Sequence, residues 1–406
     1  MKSADTIDIF NQSKEALGRI APYIHKTDVI KSATFSRATN AEIFMKLENL
    51  QRTGAFKIRG ALNACWNAKS KGEKIVVTSS AGNHGQGVAY AASALGLEAH
   101  VFMPEFAYPN KIEATKSYGA IVHLKGETYD DSYAFAREYA AEKNARFIHA
   151  FDELDVIAGQ GTIGLELYEQ KPDLDLLLVP VGGGGLVSGL GSVMKKLSPS
   201  TKIIGVQSSG YPAFYESFKQ RRLVDVKRSV TIADGISVKR PGELTFDIAL
   251  KVVDDMVTVD DDEIRTAMFM LLERSKLVTE PAGAAALAAA ISGKLGLSGK
   301  KIGVIISGGN VNPLLLSRVI AQSLRRTGRL IRLSVTIPDR PGSLRTVLSC
   351  VASARANVVD LAHIRDEPDV PPSMAVVEIT MEVQTGETFQ QLTECLRAQG
   401  LKFDIS

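Results

Sequence analysis

The sequence predicts an α/β protein in two parts: a large body of parallel sheet covered by helices, then a small ferredoxin-like unit. Three observations carry this. Apolar runs alternate with helical patterns from Ile75 to about Phe151 and again from Leu176 onward, as expected of strands joined in parallel by crossover helices. Two glycine-rich turns, Ser79-Ser80-Ala81-Gly82-Asn83-His84-Gly85 and Gly182-Gly183-Gly184-Gly185-Leu186, each follow an apolar run, the place where open α/β sheets hold ligands. Beyond the basic stretch Arg325-Arg326-Thr327-Gly328-Arg329 the order becomes βαββαβ within residues 330–406.

Taken in order, residues 6–20 predict an amphipathic helix with Phe10, Leu17 and Ile20 on one face and Pro22 just past its end. Residues 41–47 alternate as a strand. Strands follow near Ile75–Thr78, Ala99–Met103, Ala120–His123 and Arg146–His149. Helices lie between them near Gly85–Leu95, Asn110–Tyr118 and Tyr129–Glu142. The strand pattern resumes at Leu176–Val181, Lys202–Gln207 and Lys301–Ile306. Residues 260–275 predict a helix whose acidic start, Asp260-Asp261-Asp262-Glu263, suits the helix dipole; capping and solvation account for the aspartates better than a metal does. The run Ala282–Ala290 predicts a buried helix. Arg325–Arg329 reads as a charged hinge, dividing 1–325 from 330–406. In the tail, strands are expected at Leu330–Ile337, Val358–Ile364, Met374–Val383 and Leu401–Ile405, with helices at Ser343–Arg355 and Thr388–Gln399.

Composition narrows the function classes. With 45% hydrophobic and 23% charged residues and a net charge of +3, the chain suits a soluble globular protein and is too weakly basic to argue for nucleic acid. No apolar run is long enough to span a membrane. Cys65, Cys350 and Cys395 are far apart and odd in number, with neither metal nor disulfide spacing, so a cytoplasmic location is the simplest expectation.

The chemistry lies in three stretches. Phe56-Lys57-Ile58-Arg59-Gly60 sets a lysine beside an aromatic ring, just after a glycine turn at Gly54. Four consecutive glycines, Gly182–Gly185, let backbone N–H groups converge on a phosphate; a flexible turn or a dinucleotide loop would also use them. Asn83 has an amide suited to a phenolic oxygen, and the N–H groups of Ser80, Ala81, Gly82 and Asn83 suit a substrate carboxylate. His84 has no acidic partner at a recognisable spacing and reads as structural. Ser307, in Ser307-Gly308-Gly309-Asn310, offers a hydroxyl to a ring nitrogen or a helix cap. A lysine able to form a Schiff base, an asparagine loop and a phosphate loop together point to a pyridoxal phosphate site.

The motifs F-K-I-R-G-A, S-S-A-G-N-H-G-Q-G, G-Q-G-T-I-G-L-E, G-G-G-G-L, T-E-P-A-G-A and S-G-G-N stand in that order. From about residue 5 to 322 the chain resembles the fold-type II, tryptophan synthase beta-like, pyridoxal-phosphate enzymes, most closely the threonine and serine dehydratases. That resemblance implies a two-lobed parallel-sheet catalytic domain. It makes Lys57 the Schiff-base lysine, Phe56 a neighbour of the ring and Asn83 the partner of the phenolic oxygen. It makes Gly182, Gly183, Gly184, Gly185 and Leu186 the phosphate cradle, and Ser307 the partner of the pyridine nitrogen. Ser80, Ala81, Gly82, Asn83 and His84 become the substrate loop. Residues 330–406, with Asp339-Arg340-Pro341-Gly342-Ser343-Leu344 at the first turn, resemble an ACT domain.

The resemblance implies a threonine ammonia-lyase: β-elimination of water from L-threonine to 2-oxobutanoate and ammonia, with activity on L-serine. It also implies an allosteric enzyme of amino-acid metabolism, as in isoleucine biosynthesis, answering isoleucine, valine or AMP, and a homodimer or homotetramer. Two departures matter. Serine racemases of this fold carry a serine where this chain has Ala81, so racemisation is expected to be minor. Some relatives bind a divalent cation through a glutamate just after the strand that here ends Gly205-Val206-Gln207, and that acid is missing, so no metal site is expected. The rival readings are a dehydratase or racemase of serine or 3-hydroxyaspartate, and a non-catalytic nucleotide-binding protein.

Overall fold

The computed structural model describes residues 8–227, 229–383 and 386–405. The expected first turn of the N-terminal helix, residues 6 and 7, lies outside them. The chain divides into two compact units, 1–312 and 313–406.

In the first unit, ten strands occur in the described chain: β1 (Val29–Lys31), β2 (Glu42–Lys46), β3 (Ile75–Ser79), β4 (Glu98–Met103), β5 (Ile121–Leu124), β6 (Arg146–Phe147), β7 (Leu176–Pro180), β8 (Lys202–Ser208), β9 (Asp255–Val259) and β10 (Lys301–Ile305). They form two sheets. The larger has the order β1-β2-β10-β7-β8-β9 and the smaller β5-β4-β3-β6. All pairings are parallel except that of β1 with β2. The continuous alternation between Ile75 and Phe151 therefore builds a lobe of its own, set between β2 and β7 of the other sheet. Each lobe has its own core: Leu177, Val179, Leu190 and Ile203 belong to the large one, Val76, Val88, Val101 and Ile148 to the small one.

Local chemistry sets several boundaries. The helix Tyr129–Glu142 begins at Thr128, whose capping box with Asp131 satisfies two orphan amides. Asp260 and Glu263 form the same box at the helix Asp261–Met270, which continues as a π-helical turn, Leu271–Ser275. The N-terminal helix, Ile9–Ile20, buries Ile9, Ser13, Ala16 and Ile20. Phe10 and Leu17, expected on the inward face, sit half-buried at its edges. Small residues on the true inward face let it close on Gly161, where a Cβ would strike Ser13 Oγ.

The helix Lys57–Ser70 packs on the helix Leu154–Gln170 backbone to backbone. A Cβ at Gly159 would lie 2.5 Å from Gly60 Cα and 2.6 Å from Arg59 O, so glycine is required there. The contact is anchored by buried charge. Arg59 and Glu48 are 0% exposed, as is Lys46, and Glu166 is 2% exposed. Arg59 donates from Nε to Glu48 Oε2 at 2.8 Å and from Nη1 to Glu166 Oε1 at 2.7 Å. Lys46 Nζ donates to Glu166 Oε2 at 2.7 Å and to Thr27 O at 2.6 Å. Two cations face two carboxylates, so the knot is neutral and its polar atoms are paired, the condition under which buried ions are tolerated.

In the second unit, β11 (Leu330–Pro338), β12 (Asn357–Ile364), β13 (Met374–Glu382) and β14 (Lys402–Ile405) form an antiparallel sheet in the order β12-β13-β11-β14. With the helices Ser343–Ser353 and Gly386–Ala398 this is a βαββαβ unit. Alternate β11 residues Ile331, Leu333, Val335 and Ile337 feed its core. The helix Pro313–Arg326 groups with this unit, so Arg325 and Arg326 end a helix rather than form a hinge. Basic side chains there suit the negative end of the dipole.

The expectation for the cysteines is overturned. Cys350 and Cys395 form a disulfide, with Cα atoms 5.5 Å apart. The fold sets their helices side by side, a proximity that a spacing of 45 residues does not announce. Cys65 is free and buried. No helix among the described residues is long and apolar enough to cross a membrane.

Candidate active site

The reactive lysine opens the helix Lys57–Ser70. Gly54, at φ +73°, turns the chain into it, and Phe56 N–H donates to Ser307 O at 3.1 Å, tying this entry to the end of β10. Lys57 Nζ donates to Ala150 O at 2.7 Å and lies 5.4 Å from the centre of the Phe56 ring. Burial pushes its ammonium down to about 8, with Glu280 pulling the other way. Roughly a tenth of the amine is thus neutral at pH 7, far more than for an exposed lysine.

The residue after Ala150 connects the lysine to the glycine loop. A Cβ on Gly183 would press to 2.4 Å from the Phe151 ring, and one on Gly185 would come within 3.0 Å of Phe151 Cβ. His149 Nδ1 accepts from Phe151 N at 3.2 Å and Asp152 N at 2.8 Å, shaping this turn; burial holds its imidazole down to about 4, hence neutral. Gly184 is left-handed, at φ +97°, and the helix Gly185–Leu197 starts immediately after it. The loop's carbonyls are occupied from behind. Gly183 O accepts from Thr245 Oγ1 at 2.6 Å, and Gly184 O from Ser188 N at 2.9 Å. The amides at the helix start, including that of Leu186, are left for an anion. A crowded, side-chain-free loop with its amides at a helix N-terminus fits a phosphate.

The asparagine loop follows β3. Ser80 N–H is spent on Phe102 O at 3.0 Å, and Gly82 N–H on Ser80 Oγ at 3.2 Å. This corrects the expectation that the whole run Ser80–Asn83 offers amides to a carboxylate. Those of Ala81, Asn83 and His84, around the start of the helix Asn83–Leu95, remain. The His84 ring is buried, with Nε2 3.4 Å from Ile148 O. Burial and then the Lys57 charge push it down to about 3, so it is a neutral packing group. Asn83 Nδ2 donates to Glu280 Oε1 at 2.7 Å, and Asn83 Oδ1 accepts from Asn310 Nδ2 at 2.8 Å. Ser307 is 3% exposed, and its hydroxyl reaches only Ala282 O, at 3.5 Å. It is therefore loosely held and able to meet a ring nitrogen.

Lys57, Asn83, Ser307 and the cradle thus converge where β3, β7 and β10 end. Sequence reasoning missed Glu280, although it stands in T-E-P-A-G-A, and Asn310, although it closes S-G-G-N. Burial, then repulsion from Asp234, pushes the Glu280 carboxyl up to about 7, against the Asn83 hydrogen bond and the cations Lys111 and Lys57. Lys111 itself pairs with Asp234 at 2.7 Å. A buried amine, a glycine cradle and a neutral hydroxyl together fit pyridoxal phosphate.

Comparison with known proteins agrees. Residues 20–308 match the family described as pyridoxal-phosphate dependent enzyme. The chain is 41% identical to an L-threonine ammonia-lyase of Thermotoga maritima over 97% of this chain and 98% of that protein. It is similar to the structure of maize serine racemase, with TM-score 0.73 and 36% identity, covering 79% of this chain and 98% of that one. It is similar also to threonine deaminase isoform 2 from Solanum lycopersicum, with TM-score 0.75 and 33% identity, covering 80% and 90%. The chain belongs to the pyridoxal-phosphate dependent enzymes.

Proposed function

We propose that this protein deaminates L-threonine to 2-oxobutanoate and ammonia, accepts L-serine as a second substrate, and is regulated through its C-terminal unit. The observation that carries the reading is the Lys57 amine, held at Ala150 O one residue from the ring that walls the glycine cradle. The bound cofactor withdraws electrons from the substrate Cα, making its proton acidic. The chain's own groups do the rest. Amides of Gly183–Leu186 hold the phosphate, and those of Ala81, Asn83 and His84 hold the substrate carboxylate. Lys57 Nζ takes the Cα proton. The Lys57 ammonium so formed is the acid at hand for the β-hydroxyl, which takes up that proton and leaves as water, and the enamine left behind hydrolyses to the keto acid and ammonia. Ser307 meets the ring nitrogen with a neutral hydroxyl; a carboxylate there would keep it protonated and strengthen the ring as an electron sink. Ala81 presents a methyl group where a racemase needs a second acid, which supports elimination over racemisation.

In this reading the catalytic domain runs from residue 1 up to the helix Pro313–Arg326, which groups with the second unit, and 330–406 form an ACT-like regulatory domain of a cytoplasmic homo-oligomer. The βαββαβ order of the tail supports that assignment, as does a threonine ammonia-lyase relative matched along nearly the whole chain. A substrate panel of threonine, serine and 3-hydroxyaspartate, followed by keto-acid release, tests the activity. Threonine is expected to turn over fastest, and a clear preference for another substrate, or racemisation outpacing keto-acid release, overturns the reading. Titrating isoleucine, valine and AMP into the same assay tests the regulation.

A further inference from the structure

The Asn83 amide belongs to a chain of hydrogen bonds that runs in one direction. It starts at Thr53 O, a backbone carbonyl that can only accept. Asn310 Nδ2 donates to it at 2.8 Å, which fixes the nitrogen end of Asn310. The same nitrogen donates to Asn83 Oδ1 at 2.8 Å, which fixes the oxygen end of Asn83. Asn83 Nδ2 then faces Glu280 Oε1, at 2.7 Å. Gln86 Oε1 adds a longer contact to Asn310 Nδ2, at 3.5 Å. Gly54 makes room for the arrangement, because a Cβ there would strike Asn310 Oδ1.

An amide nitrogen carries two hydrogens. Glu280 takes one from Asn83, leaving the other for a ligand. Rotating the amide by half a turn would set Asn83 Nδ2 against Asn310 Nδ2, donor on donor, and Asn83 Oδ1 against the Glu280 carboxyl. Two hydrogen bonds would become two mismatches.

We propose that Asn310 and Glu280 are positioning residues that lock the Asn83 amide with its free N–H toward the phenolic oxygen of the cofactor. This rests on the assignment of Asn83 as the partner of that oxygen. The direction of the chain comes from the Thr53 carbonyl, so it does not depend on how the cofactor is charged. A neutral Glu280, populated where burial has moved that carboxyl, can also donate to a flipped Asn83 Oδ1, so in that range the direction rests on Asn310, whose amide does not titrate. A flipped Asn83 would oppose the phenolic oxygen with another oxygen. Orientation therefore sets both cofactor affinity and the electronic environment of the ring.

The test compares Asn83→Ala, Asn310→Ala, Asn310→Asp, Glu280→Gln and the double variant Asn310→Ala/Glu280→Gln. The readouts are the dissociation constant of pyridoxal phosphate, the visible absorbance maximum of the loaded protein and the midpoint of thermal unfolding. Asn83→Ala is expected to weaken the cofactor about tenfold and to shift the absorbance, as loss of a hydrogen bond to a charged group does. Asn310→Asp, which sets an acceptor against Asn83 Oδ1 and so removes the preference for the productive orientation, is expected to approach that loss. Asn310→Ala and Glu280→Gln each leave one lock in place and are expected to weaken binding by less than about threefold. The double variant removes both and is expected to lose more than the two singles multiplied. A purely structural role predicts effects on unfolding alone, or singles that multiply to the double. If Asn83→Ala shifts affinity and absorbance but Asn310→Asp does neither, the lock is overturned and the Asn83 assignment stands. If Asn83→Ala changes neither, both fall together.

Discussion

Replacing Gly184 by alanine should damage the site in a calculable way. The residue sits at φ +97°, and a Cβ there would lie 2.5 Å from Phe214 Cε2 and 2.9 Å from Thr245 Cβ. Backbone strain of a non-glycine residue in such a region costs about 1–3 kcal/mol. Overpacking against a buried ring adds about 1–3 kcal/mol. The loop can relieve this only by moving, and its Gly183 carbonyl is pinned by Thr245 Oγ1 at 2.6 Å. Movement breaks that bond or swings an amide away from the phosphate. Loss of one hydrogen bond to a charged phosphate is worth about 1.5–3 kcal/mol, or roughly 10- to 100-fold in cofactor affinity. Gly72→Ala is the control. It shares the positive φ, +82°, but its Cβ meets nothing within 4 Å, so it should cost stability by strain alone and leave affinity intact. The assay is titration of cofactor-free protein with pyridoxal phosphate, beside thermal unfolding. Wild-type affinity in Gly184→Ala, or an equal loss in Gly72→Ala, refutes the reasoning.

Lys57→Ala should abolish turnover and the visible absorbance of bound cofactor while unfolding stays cooperative; borohydride reduction and peptide mapping should find the cofactor on Lys57, and any other lysine refutes the assignment. The rate at which cofactor-free protein captures pyridoxal phosphate should rise from about pH 7 and level off near pH 9, because capture needs the neutral amine and burial sets the Lys57 ammonium at about 8; a rate still climbing about tenfold per unit up to about pH 10 would contradict this. Arg59→Met leaves Glu48 and Glu166 without their main counter-charge and should destabilise the fold by about 3–5 kcal/mol, measured by denaturant unfolding. Ending the chain after residue 329 should preserve 2-oxobutanoate production and remove any response to isoleucine, valine or AMP; a truncated enzyme with the full response refutes the regulatory assignment of the tail.

Much of the fold was legible because the inner strands are apolar throughout. β7 reads as Leu176-Leu177-Leu178-Val179-Pro180 and is buried at every position. The helix Tyr129–Glu142 was placed to the residue, and the structure adds the capping box of Thr128 and Asp131 that starts it. The helix Leu154–Gln170 escaped notice as an element, since Gly159, Gly161 and Gly164 resemble loop glycines until close packing explains them. The two lobes were implied by the family resemblance, but which strands share a sheet was not legible in the residues, because pairing is decided by partners far apart in the chain: β2 pairs with β10. In the site, Lys57, Asn83 and the four glycines were readable as motifs and do converge. Glu280 was not, because a lone acid acquires its meaning only when folding buries it beside Asn83. The disulfide escaped for the same reason, since proximity of Cys350 and Cys395 is a tertiary fact.

The neutral knot around Arg59 also bears on how this sequence can change over time. Lys46 and Glu48, Arg59, and Glu166 come from three separate stretches of the chain, yet the charge of each is balanced by the others. Replacing any one strands a buried charge, while exchanging the set for well-packed apolar residues need cost little. Viable sequences thus lie on two islands separated by single-step intermediates that fold poorly. Descendants should keep the quartet or lose it together. Because Arg59 lies two positions beyond Lys57 on the same helix, a lineage leaving the charged island must also re-seat its reactive amine. Drift at these positions is therefore coupled to catalysis, although none of the four is among the candidate site residues.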